Sequence, residues 1–170
     1  MPTALLIIDM QHALCSGDDA AFGIDNVIEK INALSARARA CASPVFLVQH
    51  EEGDGPLQFG HEGWALVAGL LTAAEDIRLG KKTPNSFHGT ELHRLLQERG
   101  VSPVVICGLQ TEVCLHTTVR QALPLGYDAP RADAALVHYT LGGPYFKEYS
   151  GCEYAKEWFA ARDAMLHVGA

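Results

Sequence analysis

Three side chains combine a reactive type with a position that a fold can exploit: Asp9, Lys81 and Cys114. Asp9 follows the apolar run Ala4-Leu-Leu-Ile-Ile8, so its carboxylate stands at the edge of a dry region. Lys81, with Lys82 beside it, comes just after a short apolar segment that starts at Ile77. Cys114 lies seven residues after Cys107 and three into a helix that Thr111 is placed to cap. A thiol in the first turn of a helix meets unpaired N–H groups and the positive end of the helix dipole, and both favour thiolate. An ammonium nearby favours it further, and a carboxylate nearby can carry its proton. Nucleophile, cation and base would then meet on one rim. Each residue also has a plainer role. An aspartate after a strand often only serves a turn, a loop lysine is usually a solvated charge, and a helical cysteine is more often a small buried hydrophobe. That last reading is the one given to Cys15, Cys41, Cys107 and Cys152.

Other chemistries find less support. His50 precedes the glycine-rich stretch from Gly53 to Gly63 and His61 lies near its end, yet no Asp-x-His or His-x-x-x-His pair accompanies them. His93 has no ligand partner at i+4, so no metal is expected. Neither of the glycine-rich phosphate-cradling patterns occurs, and the Gly-x-Ser-x-Gly elbow of serine hydrolases is absent.

The segments that must position this chemistry alternate between strand and helix. Ala4 to Ile8 reads as a strand buried on both faces. Asp25 to Ala42 carries Val27, Ile28, Ile31, Leu34 and Ala38 at helical period, behind Asp25 or Asn26 as cap. Pro44 to Val48 is a second strand, Gly53 to Gly63 a loop, and Trp64 to Ala74 a predicted helix. Ile77 to Leu79 is a short strand, followed by a loop from Gly80 to Phe87. Thr90 caps a helix with Leu92, Leu95 and Leu96 inward, ended by Gly100. Val101 to Cys107 is a strong strand, and a helix from Thr111 runs to about Ala122 before Pro124 and Gly126 end it. Further on, Ala134 to Tyr139 can hold a strand and Glu153 to His167 a closing helix. Alternation with short connections predicts a three-layer α/β domain around a mainly parallel sheet, one domain over residues 1–170. Ligands bind such sheets outside the carboxyl ends of the strands, where Asp9, Lys81 and Cys114 all fall.

Composition narrows the partners. A chain of 170 residues buries roughly 68–70% of its unfolded surface, so its core needs no metal or disulfide staple. Lys and Arg number 13 against 20 Asp and Glu, a net charge of −7, which argues against nucleic acid as a partner. The 5 cysteines are odd in number and form no Cys-x-x-Cys pair, so no disulfide framework is indicated. The first residues lack a basic region. No apolar run approaches the ~20 residues of a membrane helix. The expectation is a cytoplasmic protein without membrane partner or cofactor.

Three segments carry a resemblance: Ala4-Leu-Leu-Ile-Ile-Asp-Met-Gln11, Lys81-Lys-Thr-Pro-Asn-Ser-Phe-His-Gly-Thr-Glu-Leu92, and Val104-Val-Ile-Cys-Gly-Leu-Gln-Thr-Glu-Val-Cys114 continuing to Gly126-Tyr127. In this order and spacing they resemble the isochorismatase-like cysteine hydrolase family over most of the chain. The resemblance implies a Rossmann-like α/β/α domain whose Asp/Lys/Cys triad hydrolyses amide-type C–N bonds of small molecules. It makes Asp9 the general acid/base and Cys114 the nucleophile. Counting six residues back from Phe87 gives Lys81 as the triad lysine, with Lys82 the alternative. It further implies a non-proline cis peptide at Leu109–Gln110, turning the Gln110 N–H toward that of Cys114 to form an oxyanion hole. A homo-oligomer, dimer or tetramer, is also implied.

Gln11 and His12 follow Asp9 near the rim, and Trp64, Phe87 and Leu115 are candidates to line an apolar substrate pocket. The chain departs from relatives in places. The metal-binding Asp-x-His of the nicotinamidase branch has no counterpart in Val48-Gln-His-Glu-Glu-Gly-Asp54, and Cys114 argues against the vinyl-ether cleavage of the namesake enzymes, which lack that cysteine. Asp128 to Ala134 is more polar than the strand expected there. Tyr145, Phe146, Tyr149, Tyr154 and Trp158 read as core or subunit packing. Two further functions stand beside the hydrolase: a catalytically silent binding or assembly module, and a redox-sensing thiol protein. A hydrolase or sensor thiol is expected to react fast with iodoacetamide at pH 7, an assembly module slowly at every cysteine.

Overall fold

The computed structural model describes residues 2–17, 20, 21 and 23–127. The strand expected at Ala134–Tyr139, the helix at Glu153–His167, Cys152 and the late aromatic group lie outside the described residues.

Four parallel strands form the sheet: β1 (Ala4–Ile8), β2 (Val45–His50), β3 (Ile77–Lys81) and β4 (Val104–Gly108), in the order β3-β2-β1-β4. All five residues of β1 are buried, because it is central and covered on both faces, which is why it reads as an unbroken apolar run. Its register sets Ile8 beside Val48 on one side and Gly108 on the other, while His50 stands beside Lys81 at the ends of β2 and β3. The chain moves outward from β1 to β2 and β3, then returns to place β4 on the far side of β1. Parallel crossovers are right-handed, so these two directions of travel put the intervening helices on opposite faces. The result is an α/β fold with a switch point between β1 and β4.

Helix α2 (Ile24–Ala40) buries Val27, Ile28 and Ile31 and packs on β1, β2 and β4. Gly23, at φ +68°, precedes it in place of the expected Asp25 or Asn26 cap, and as glycine it offers no side-chain cap. Helix α3 (Leu92–Glu98) turns the fully buried Leu92 and Leu96 inward. The Thr90 hydroxyl accepts from the Leu92 N–H at 3.3 Å, and the Gly100 N–H closes the other end on Gln97 O. A short helix α1 (His12–Cys15) follows β1.

The structure corrects three local expectations. Trp64 to Ala74 is not a helix: a single 3-10 turn, Glu62–Trp64, leads into a segment whose backbone bonds go elsewhere. The Ala65 carbonyl accepts from His12 N–H at 2.8 Å, and Val67 N–H donates to Met10 O at 2.9 Å. Long-range pairing over the end of β1 therefore outcompetes local helical bonds. Strand β3 runs two residues past Leu79 and so takes in Lys81. The helix expected from Thr111 begins as a π-helical turn, Thr111–Leu115, before α4 (His116–Ala122).

Candidate active site

The side chains of Asp9, Lys81 and Cys114 meet at the carboxyl ends of the strands. The Lys81 ammonium lies 2.9 Å from Asp9 Oδ2 and 3.3 Å from Cys114 Sγ. Lys81 and Asp9 are buried almost completely and Cys114 about half. Each is delivered by its own strand. Asp9 leaves β1 at φ +56°, a left-handed conformation that aspartate tolerates better than most side chains. Its N–H stays tied to Val48 O at 2.8 Å. Lys81 is the last residue of β3, and the alternation of that strand sends its stem inward while Lys82 is exposed. Burial thus separates the two lysines that the sequence left open.

Cys114 reaches the group through the turn out of β4. Gly108 sits at φ +124°, and a Cβ there would collide with the Ile8 backbone, so only glycine permits this approach. Leu109 N–H then donates to Ile8 O at 2.8 Å. The expected cis bond is absent: the described peptide bonds, Leu109–Gln110 included, are trans. The change of direction is made at Gly108 instead. Gln110 is exposed, and its carbonyl accepts from Val113 N–H at 3.2 Å and Leu115 N–H at 3.3 Å, which builds the π turn carrying Cys114. Such turns recur at functional sites. The loop after Lys81 is fastened to α4: Ser86 N–H donates to Thr118 Oγ1 at 3.0 Å, and the Thr118 hydroxyl contacts Ser86 Oγ at 3.0 Å.

The electrostatics depart from the expected thiolate. Burial first, then the charge of Asp9 and a hydrogen bond with it, push the Cys114 thiol up to about 11; Lys81 pulls the other way and loses. The first turn is π-helical and a carboxylate faces the sulfur, which sets Cys114 apart from a thiol at an ordinary helix start. Beside the Asp9–Lys81 ion pair the Cys114 thiol is neutral at neutral pH. Asp9 Oδ1 is buried without a hydrogen-bond partner among the described residues, an acceptor ready for a proton. Cys107, fully buried in β4, is pushed up to about 12 by burial alone, and Cys15 reaches about 12 through burial and Asp9. Both pack in the core.

The expected substrate contacts fare differently. Gln11 is buried and its amide is spent on backbone: Nε2 donates to His50 O and Trp64 O, each at 3.0 Å, and Oε1 accepts from His50 N–H at 2.7 Å. It clamps two segments and leaves no polar atom for a ligand. Leu115 is a core residue, and Phe87 stacks on Tyr127 with centroids 5.5 Å apart. Trp64 is half-buried against the exposed Phe59, with centroids 4.6 Å apart. His12 contacts Ser16.

Sequence reasoning missed His50 and Thr83. His50 Nδ1 lies 3.2 Å and the Thr83 carbonyl 3.3 Å from Lys81 Nζ. The only available signal was the position of His50 at the end of a strand, and its partner is set by cross-strand register. Among the described residues, no group of three or more His, Cys, Asp or Glu side chains converges as a metal site, and no helix is long and apolar enough to cross a membrane. A hollow of about 510 Å³ at the opposite ends of the strands, near Pro2, Pro44 and Ile77, holds the Arg39–Asp76 ion pair at 2.7 Å and no cysteine.

Known proteins share the sequence and fold of this chain. The isochorismatase domain matches residues 3–134. The isochorismatase family protein YecD of Escherichia coli O157:H7, itself uncharacterized, is 30% identical over 78% of this chain and 78% of its own. The ureidoacrylate amidohydrolase RutB of Methylobacterium radiotolerans is 29% identical over 74% of this chain and 63% of its own. The crystal structure of an isochorismatase from Pseudomonas putida KT2440 superposes with a TM-score of 0.71 at 31% identity, covering 78% of this chain and 69% of that one.

Proposed function

The chain belongs to the isochorismatase family, and on that premise we propose that it is a cysteine hydrolase opening an amide- or ureide-type C–N bond of a small molecule. The observation that carries this reading is the convergence of Asp9, Lys81 and Cys114 on one buried ion pair and one half-buried thiol. Similarity to a ureidoacrylate amidohydrolase supports the choice of bond.

In the proposed reaction the thiol does not ionise in the free enzyme, because it sits at about 11. Its proton passes to Asp9 as Sγ bonds to the substrate carbonyl carbon and the C=O π electrons move onto oxygen. Lys81 neutralises the carboxylate at rest and holds the sulfur as charge develops on it. The Cys114 N–H is assigned to the oxyanion; the turn that was to bring the Gln110 N–H beside it rested on a cis Leu109–Gln110 bond, and that bond is trans. Collapse breaks the C–N bond, and the departing nitrogen takes the proton from Asp9. Asp9, again a carboxylate, removes a proton from water as the water oxygen attacks the thioester. The second collapse expels the sulfur, which recovers that proton, and releases the acid.

The test is a panel of small amides and ureides scored by ammonia or amine release. Wild type is expected to turn over at least one member, Cys114→Ala none, and Cys107→Ala to lose stability while keeping its chemistry. Turnover in Cys114→Ala equal to wild type would end the proposal.

A further inference from the structure

We propose that His50 is a positioning residue for Lys81, acting as a neutral hydrogen-bond acceptor through Nδ1. The inference rests on the hydrolase reading and adds a residue to it. An ammonium has three N–H bonds, yet Lys81 Nζ faces four acceptors: Asp9 Oδ2 at 2.9 Å, His50 Nδ1 at 3.2 Å, Thr83 O at 3.3 Å and Cys114 Sγ at 3.3 Å. The Lys81 ammonium has donors and no acceptor, so in its contact with Nδ1 the imidazole nitrogen accepts. Nδ1 is then the bare nitrogen and Nε2 carries the ring proton, on the side where Glu52 Oε1 stands 4.0 Å away.

The backbone of His50 cannot drift. Gln11 grips it from both directions, accepting from its N–H at 2.7 Å and donating to its carbonyl at 3.0 Å. His50 and Lys81 are also register partners in neighbouring strands, so the ring and the stem rise from the same level of the sheet. Held by His50 and the Thr83 carbonyl, two N–H bonds of Lys81 are fixed in direction. The third is left to be shared between Asp9 and Cys114, the base and the nucleophile. His50 thereby sets the rotation of the ammonium without touching the reacting atoms.

His50→Asn keeps an acceptor at the place of Nδ1, whereas His50→Leu removes it. With a turned-over amide, His50→Asn is expected to keep kcat within about threefold and His50→Leu to lose roughly tenfold or more, with KM within about twofold in both. Alkylation of Cys114 by iodoacetamide, followed against pH by peptide mapping, gives a readout that needs no substrate. Its midpoint is expected to rise by about half a pH unit or more in His50→Leu and to stay in place in His50→Asn, because a misdirected ammonium holds the thiolate less well. Should His50→Leu fail to fold, His50→Ala is used, with several-fold recovery of kcat or of the alkylation midpoint by added imidazole expected. Wild-type kcat and midpoint in the variant lacking the acceptor, equal losses in the Asn and Leu variants, or no imidazole recovery would overturn the proposal. Failure of the hydrolase reading looks different: Cys114→Ala keeps its turnover, or wild type has none, while the alkylation readout still reports on His50.

Discussion

Lys81→Met keeps most of the length of the stem and removes its charge. In the native protein the Lys81 and Asp9 side chains are 0% and 2% exposed and 2.9 Å apart, so the substitution strands a carboxylate in a dry place. Removing one partner of such a buried pair costs about 3–5 kcal/mol. At about 2–4 °C per kcal/mol for a chain of this size, the melting temperature at pH 7 falls by roughly 6–20 °C. Circular dichroism melts of wild type and variant at pH 7 measure it. The double variant Asp9→Asn/Lys81→Met recovers much of the loss, since no unpaired charge remains. Lys82→Met, at an exposed position, stays within about 0.5 kcal/mol. A Lys81→Met protein melting within 2 °C of wild type would refute the buried pair.

Two further outcomes are expected. Contrary to the fast reaction expected of a hydrolase thiol from sequence, iodoacetamide at pH 7 labels Cys41 first among the described cysteines and Cys114 slowly, since a thiol at about 11 is only roughly one part in ten thousand thiolate there. Slow labelling at pH 7 therefore does not single out an assembly module. The Cys114 rate climbs up to about pH 11 while Cys15 and Cys107 stay protected, and a plateau below pH 8 would mean that Lys81 outweighs burial and Asp9. Gln11→Ala orphans the His50 N–H and carbonyl and leaves Trp64 O with the Gln49 amide as donor, so urea unfolding shows a loss of about 1–3 kcal/mol with KM unchanged. A raised KM at native stability would return Gln11 to the substrate.

What the sequence disclosed follows from the range of the forces involved. The runs Ala4–Ile8 and Val45–Val48 announced central strands because a strand covered on both faces has no polar side to show. Gly100 and Thr90 marked the ends of α3 through local hydrogen bonds. Trp64 to Ala74 misled because its apolar residues answer to β1 and α1 across the fold, not to one another. Asp9, Lys81 and Cys114 were legible as candidates because each lies at or beyond the end of a strand, whereas the burial of Lys81 and the exposure of Lys82 come from the pleat of β3. The thiol was misjudged because a helix end is visible in sequence and a facing carboxylate is not. His50 escaped for a similar reason: its partner is 31 residues away and fixed by strand register.

The mass of the peptide carrying Cys114 during turnover tests the central claim most directly. Wild-type protein, mixed with an amide or ureide that it hydrolyses and quenched in acid, should yield a Cys114 peptide heavier by the acyl group, lost again on treatment with hydroxylamine. Cys114→Ala should show neither adduct nor product. Sustained turnover with no adduct, undiminished in Cys114→Ala, would contradict a thioester on this cysteine.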